Sequence, residues 1–179
     1  RIGRTMFETS EIPKSWVEQC RHMDEIWTPT QFNFDAFVRS GVDASKIRII
    51  PGGVDENHFD PKQHRPLRLN GSKKFNFLAV FEWIERKGWD VLLDAYLTEF
   101  TSKDDVCLQI RTYLRDQPDS NASDVVKGAV LERAERLGLN LSDLPAVQVV
   151  EQQIDYGAMP GLYLAADCLV APSRGEGWG

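Results

Sequence analysis

The feature that most constrains this chain is the alternation filling residues 75 to 173. FNFLAVF (75–81) reads as a buried strand. Trp89, Leu92, Leu93, Tyr96 and Phe100 then mark one face of a helix. VCLQIRTYL (106–114) is a second strand, and residues 122–138 are a longer helix with Val125, Val126, Ala129, Val130, Ala134 and Leu137 inward and Gly138 as its stop. AVQVV (146–150) is a third strand, residues 156–166 a helix interrupted near Pro160, and DCLVAPS (167–173) a fourth strand. Strands joined by short links through helices pair in parallel, which predicts an α/β fold with helices on the faces of a parallel sheet. Ligands of such sheets bind beyond the carboxyl ends of the strands. The loops after residues 81, 114, 150 and 172 are therefore the places where chemistry is expected.

The first part of the chain is less regular. PKSWVEQCRHM (13–23) reads as a helix with Pro13 in its first turn, and DEIWTPT (24–30) as a short strand entering a turn. TQFNFDAFVRS (30–40) reads as a helix with Thr30 as N-cap, Phe34, Phe37 and Val38 as its apolar face, and Gly41 beyond its end. KIRIIP (46–51) is a β-branched strand closed by proline, and GGVDENHFDP is a glycine-rich loop. Residues 60–74 are polar, basic and broken by prolines, as an interdomain linker would be. The expected organisation is an N-terminal domain over 1–60, a linker over 61–74 and a second domain over 75–179.

Composition narrows the function. A formal net charge of −6 argues against a general nucleic-acid binder. No apolar run is long enough to cross a membrane as a helix. The opening RIGRTMFETSEIP has no apolar signal core and no initiator methionine, so it reads as the middle of a longer protein. Cys20, Cys107 and Cys168 form no C-x-x-C pair and fit a reducing, cytoplasmic setting. His22, His58 and His64 have no metal-ligand spacing, and the sequons at Asn70, Asn121 and Asn140 read as chance matches.

Three strand ends carry candidate chemistry. In EWIERKGW (82–89), Arg86 and Lys87 precede a helix that starts near Gly88. Two cations at a helix N-terminus oppose its dipole, whereas a bound phosphate or diphosphate would reverse that sign. A solvated loop with its cations offset by Glu82 and Glu85 is the simpler account. In SRGEGWG (173–179), Gly175, Gly177 and Gly179 permit close backbone approach and unusual φ values, and Glu176 suits the hydroxyls of a sugar. A tight turn with an exposed Glu176 is the alternative. In EQQIDYG (151–157), Gln153 and Ile154 offer a place for a flat base, while Asp155 reads as a helix cap.

Taken in order and at these spacings, three segments resemble the family-4 retaining glycosyltransferases of the GT-B fold. DEIWTPTQFNFDAFVRSGVDASKIRIIPGGVDENHFDP resembles the end of that family's N-terminal domain and its crossover, and FLAVFEWIERKGWDVLLDAY its first donor-domain strand, phosphate loop and helix. DYGAMPGLYLAADCLVAPSRGEGWG resembles the run into its E-x7-E motif. The resemblance implies two Rossmann-like domains with parallel sheets, both incomplete here, facing across a cleft. It implies transfer of a sugar from a nucleotide-diphosphate donor, with retention at the anomeric carbon and without metal or other cofactor. Lys87, with Arg86 and Gly88, would contact the donor diphosphate. Glu176 would act on the donor sugar as the first Glu of the motif, with Gly175, Gly177, Trp178 and Gly179 around the sugar and phosphate. The acceptor, a glycan, lipid or protein, is not specified; Phe7, Glu8 and Thr9 are candidates to border its cleft.

Two departures accompany the resemblance. Phe81 and Glu82 stand where many members have Gly-Arg, and a carboxylate there repels phosphate unless it points away. The motif's second Glu would fall eight positions after Glu176, past the last residue, so the chain reads as a fragment, inactive by itself. A non-catalytic nucleotide-sugar-binding protein with a degenerate glycosyltransferase fold is the alternative reading, and a nucleotide-sugar epimerase a third.

Overall fold

The computed structural model describes residues 1–115 and 121–178. They form two compact units: Arg1–Val54 together with the residues from Gly175 onward, and Asp55–Arg174.

The first unit contains β1 (Ile2–Arg4), α1 (Lys14–Arg21), β2 (Glu25–Thr28), α2 (Gln31–Arg39) and β3 (Ile47–Ile49), its strands in the order β1-β2-β3 and all parallel. β1 was not expected: three residues around a glycine give no readable alternation, and it is pairing of Gly3 opposite Ile26 that makes it a strand. Pro13 stands outside α1 as its N-cap with ψ 145°, not within the first turn. Thr30 caps α2 by accepting from the Asn33 N–H at 3.1 Å, and Gly41 ends it with φ 100°. Phe37 is fully buried and Phe34 packs beside it, but Val38 is exposed. Ala36 and Asn33 are buried instead. The Asn33 amide satisfies the backbone of Phe7, donating through Nδ2 to its carbonyl at 2.9 Å and accepting its N–H at 3.3 Å. A polar residue at a buried position is what made the apolar face misleading.

The second unit contains β4 (Phe75–Glu82), α3 (Trp89–Glu99), β5 (Val106–Tyr113), α4 (Ala122–Arg136), β6 (Ala146–Val149), α5 (Met159–Leu164) and β7 (Cys168–Leu169). The sheet is parallel, in the order β6-β5-β4-β7. β4 and β5 pair over eight positions, from Phe75–Val106 to Glu82–Tyr113. Leu78 and Ala79 on β4 and Cys107, Leu108 and Ile110 on β5 are buried, as strands covered on both faces require. α3 contributes Leu92, Leu93, Tyr96 and Leu97 to this core, and α4 contributes Val126, Ala129 and Ala134.

Three sequence expectations are corrected here. β7 has two residues, not seven: two further bonds, from the Asp167 N–H to the Asn76 carbonyl at 2.9 Å and from the Val170 N–H to the Leu78 carbonyl at 2.8 Å, extend its pairing, and Pro172 has no N–H to offer. Pro160 does not interrupt a helix. A 3-10 turn at Tyr156–Ala158, capped by Asp155, leads into α5, and Pro160 stands in its first turn, where a missing N–H costs nothing. On α4, Leu137 is exposed and Arg133 is buried. Arg133 forms an ion pair with Asp94 of α3, its Nε donating at 2.5 Å, so charge and not apolar contact joins the two helices at this point. Residues 61–74 lie inside the second unit. Leu67 and Leu69 pack against Leu78, Val150 and Leu162, and the Leu67 N–H donates to the Gly161 carbonyl at 2.9 Å.

Two of the three sequons are structural. Asn121 caps α4 by accepting from the Ser123 N–H at 2.7 Å, and Asn140 caps a 3-10 turn through the Ser142 N–H at 3.1 Å.

Leu93→Ala is expected to lower stability by about 3 kcal/mol, since it empties a fully buried site. Val38→Ala, at a position the sequence pattern alone would bury, is expected to change it by less than about 0.5 kcal/mol. Urea unfolding midpoints check both values.

Candidate functional site

The strand order fixes where to look. From β4 the chain moves outward through β5 to β6, then returns to place β7 on the opposite edge of β4. The direction of winding therefore reverses between β4 and β7, and in open parallel sheets the crevice at such a reversal is the ligand site. The two loops that leave these strands are residues 83–88 and 170–174.

The loop after β4 makes a 3-10 turn at Glu85–Lys87 and enters α3 through Gly88, which is the N-cap with φ 70°. An L side chain is strained there, and a Cβ would run into the Pro172 carbonyl oxygen. Only glycine allows the two loops to touch. Arg86 and Lys87 are half-buried just ahead of the helix, and Asp90 in its first turn complements the dipole.

A residue that sequence reasoning missed fastens the two loops together. The Arg174 N–H donates to the Arg86 carbonyl at 2.8 Å. Its guanidinium donates to the Glu85 carbonyl at 2.6 Å and, as a fork, to the two Asp90 carboxylate oxygens at 2.8 and 2.7 Å. Hydrogen bonding to Arg174 lowers the Asp90 pKa to about 2. No sequence pattern distinguishes Arg174 from any other arginine in a polar loop.

Glu82, the departure noted above, closes β4 with its side chain buried. Its carboxylate receives Arg115 Nε at 3.0 Å and the Tyr113 hydroxyl at 3.5 Å. Its charge is thus countered by a neighbouring strand end.

At the next strand ends, a cavity of about 450 Å³ opens among Arg111, Thr112, Asn121 and Glu151. Gln153 is exposed, whereas Ile154 packs toward Leu78, Val150 and Leu162, and Asp155 accepts the Ala158 N–H at 2.9 Å as a cap.

The structure brings Arg86, Lys87 and Gly88 together, with Gln153 and Ile154 in the same unit, while Gly175, Glu176, Gly177 and Trp178 belong to the first unit. Gly175 and Gly177 do not have the unusual φ expected of them. Gly177 is needed for proximity instead, because a Cβ there would come within 2.7 Å of the Met6 side chain. A Cβ on Gly175 would meet Glu8 Cβ at 3.6 Å, an ordinary contact, and one on Gly52 would come within 2.7 Å of the Trp178 indole nitrogen. Glu176 is half-buried, and Gly179 lies outside the described residues. Among the described residues, no helix is long and apolar enough to cross a membrane, and no group of three or more His, Cys, Asp or Glu is placed to hold a metal ion.

No protein-family model matches this sequence, and no curated protein matches it. Solved structures do match. The Anabaena protein Alr3699/HepE, in complex with UDP and glucose, superposes with a TM-score of 0.63 at 19% identity, covering 96% of this chain and 46% of that one. An E. coli trehalose-6-phosphate protein bound with UDP-2-fluoro glucose gives 0.66 at 13% identity, covering 91% and 43%. The N-terminal domain of Candida albicans trehalose-6-phosphate phosphatase gives 0.61 at 12% identity, covering 97% and 45%. The chain thus spans less than half of each of these three proteins. The fold is α/β with parallel sheets and is GT-B-like, as in these neighbours.

Gly88→Ala is expected to destabilise the second unit by more than about 1 kcal/mol, through strain and collision together; a thermal melt checks this. The Asp90 carboxylate has a lowered folded-state pKa, so its contribution to stability is complete above the ordinary value of 3.8 and is lost as pH falls toward about 2. The stability difference between the wild type and Asp90→Asn should therefore shrink over that window, as denaturant titrations at stepped pH would record.

Proposed function

We propose that this chain carries part of a glycosyltransferase that moves a sugar from a nucleoside-diphosphate donor to an acceptor with retention of anomeric configuration. The second unit would be the donor-binding half and the first unit would belong to the acceptor side. The observation that carries this reading is the placement of Arg86, Lys87 and the N-terminus of α3 at the point where the sheet's winding reverses. Neighbours of the same fold hold UDP with glucose and a UDP-linked sugar, which supports a donor of that chemistry.

In this reading Lys87 and Arg86 neutralise the donor diphosphate, and the helix-end amides beyond Gly88, whose own N–H is taken by the Glu85 carbonyl at 3.0 Å, donate to it. As the bond to the anomeric carbon breaks, negative charge grows on the leaving diphosphate. Fixed cations and helix-end amides stabilise that charge without a metal ion. Glu176 takes hydroxyls of the donor sugar, with Gly175, Gly177 and Trp178 beside it in the sequence. Gln153 and Ile154 lie along the side given to the base. The acceptor is a glycan, lipid or protein. The three free thiols accord with a cytoplasmic setting.

Glu82 favours a second reading, a binding protein without catalysis, because it replaces the arginine that the family resemblance places there. Binding of a nucleotide-sugar with no transfer to any acceptor and no hydrolysis by a longer form of the protein would select it.

The test is calorimetric titration with UDP-glucose and its GDP and ADP counterparts. Lys87→Ala should weaken binding by about ten- to a hundredfold, the loss of one charge-assisted contact. Unchanged affinity in that variant would remove the diphosphate role. In a longer, active form, Glu176→Gln should depress transfer, and undiminished turnover would exclude Glu176 from the site.

A further inference from the structure

We propose that Arg174 is a positioning residue that preorganises the diphosphate loop, acting on the donor through Arg86, Lys87 and the start of α3 and not by touching it. This rests on the diphosphate reading above and adds to it the part that holds the site in shape.

The argument begins with what the loop lacks. Residues 83–88 are neither strand nor α-helix, and the 3-10 turn at Glu85–Lys87 has no side-chain cap. Left alone, such a loop would spread over many conformations, and a ligand would bear the cost of ordering it. Arg174 removes that freedom from three directions. Its main-chain N–H holds the Arg86 carbonyl, its guanidinium holds the Glu85 carbonyl, and its fork holds Asp90 on the first turn of α3. The close approach of Gly88 to Pro172 adds a steric stop beside these bonds. The loop is thus held at Glu85, at Arg86 and at its exit into α3 by one residue of the neighbouring strand's loop.

An exposed ion pair contributes little to stability as a rule, so a purely structural account gives Arg174 no particular consequence. The fork to Asp90, with two carbonyls satisfied at the same time, predicts an effect on order in residues 85–90 specifically. A lysine keeps the charge but cannot make the fork.

The experiment uses this chain, UDP as the probe, and the variants Arg174→Ala, Arg174→Lys, Asp90→Asn and Lys87→Ala. Calorimetry reads UDP affinity, and amide hydrogen exchange without ligand reads order in residues 85–90. Positioning predicts that Arg174→Ala and Asp90→Asn each lower UDP affinity by about tenfold. It also predicts that both accelerate exchange in residues 85–90 with α4 unchanged, and that Arg174→Lys restores neither property. Wild-type exchange in Arg174→Ala overturns the proposal whether or not affinity falls. Tighter UDP binding in Asp90→Asn overturns it too, since releasing Arg174 would then make it a direct ligand. If the wild type binds no UDP, or Lys87→Ala binds as well as wild type, the diphosphate reading fails, while the exchange data still decide whether Arg174 orders the loop.

Discussion

The second unit depends on β4, which joins β5 on one edge to β7 on the other. A parallel strand covered by helices on both faces must satisfy every backbone group through its neighbours, because no water reaches it. β4 pairs with β5 over its whole length and with β7 at Phe77 and Leu78. Its carboxyl end is consequently a fixed point. The loop that leaves it begins from a known position and direction, and so does the loop that leaves β7. A site built between two such exits inherits its geometry from the sheet, and its side chains have only to supply charge.

How much of this could be read beforehand depended on whether a residue's role was set by its own segment. Leu92, Leu93 and Tyr96 recur at helical spacing and are buried where that spacing puts them. Thr30, Asp155 and Gly41 do their capping locally, so their roles were visible from a few flanking residues. Lys87 and Gly88 were legible as a loop-to-helix junction. β1 was not, because three residues become a strand only through a partner more than twenty positions away. Asn33 and Arg133 were misread for the same reason: each is buried with a distant polar partner, Phe7 and Asp94 respectively, and a hydrophobic pattern has no symbol for a satisfied polar residue. Arg174 belongs to this group, since its partners lie more than eighty positions earlier in the chain.

Glu82 shows how the same logic bears on electrostatics. Read along the sequence, it is a carboxylate next to a proposed phosphate loop. In the fold, Arg115 and Tyr113 come from the adjacent strand end and occupy that carboxylate. Adjacent residues on a strand point to opposite faces, so proximity in sequence says little about which ions meet. The sheet register, which sets Glu82 beside Tyr113, says much more.

The contact between Gly88 and Pro172 has a consequence for anyone who would redesign this loop. Backbone meets backbone there, so one missing side chain and the Arg174 bonds together set the loop's path. Trp83 is fixed as well, stacked on Trp89 at 4.8 Å. The side chains of Arg86 and Lys87 are then the parts to exchange in selecting another anion, provided these holding contacts stay as they are.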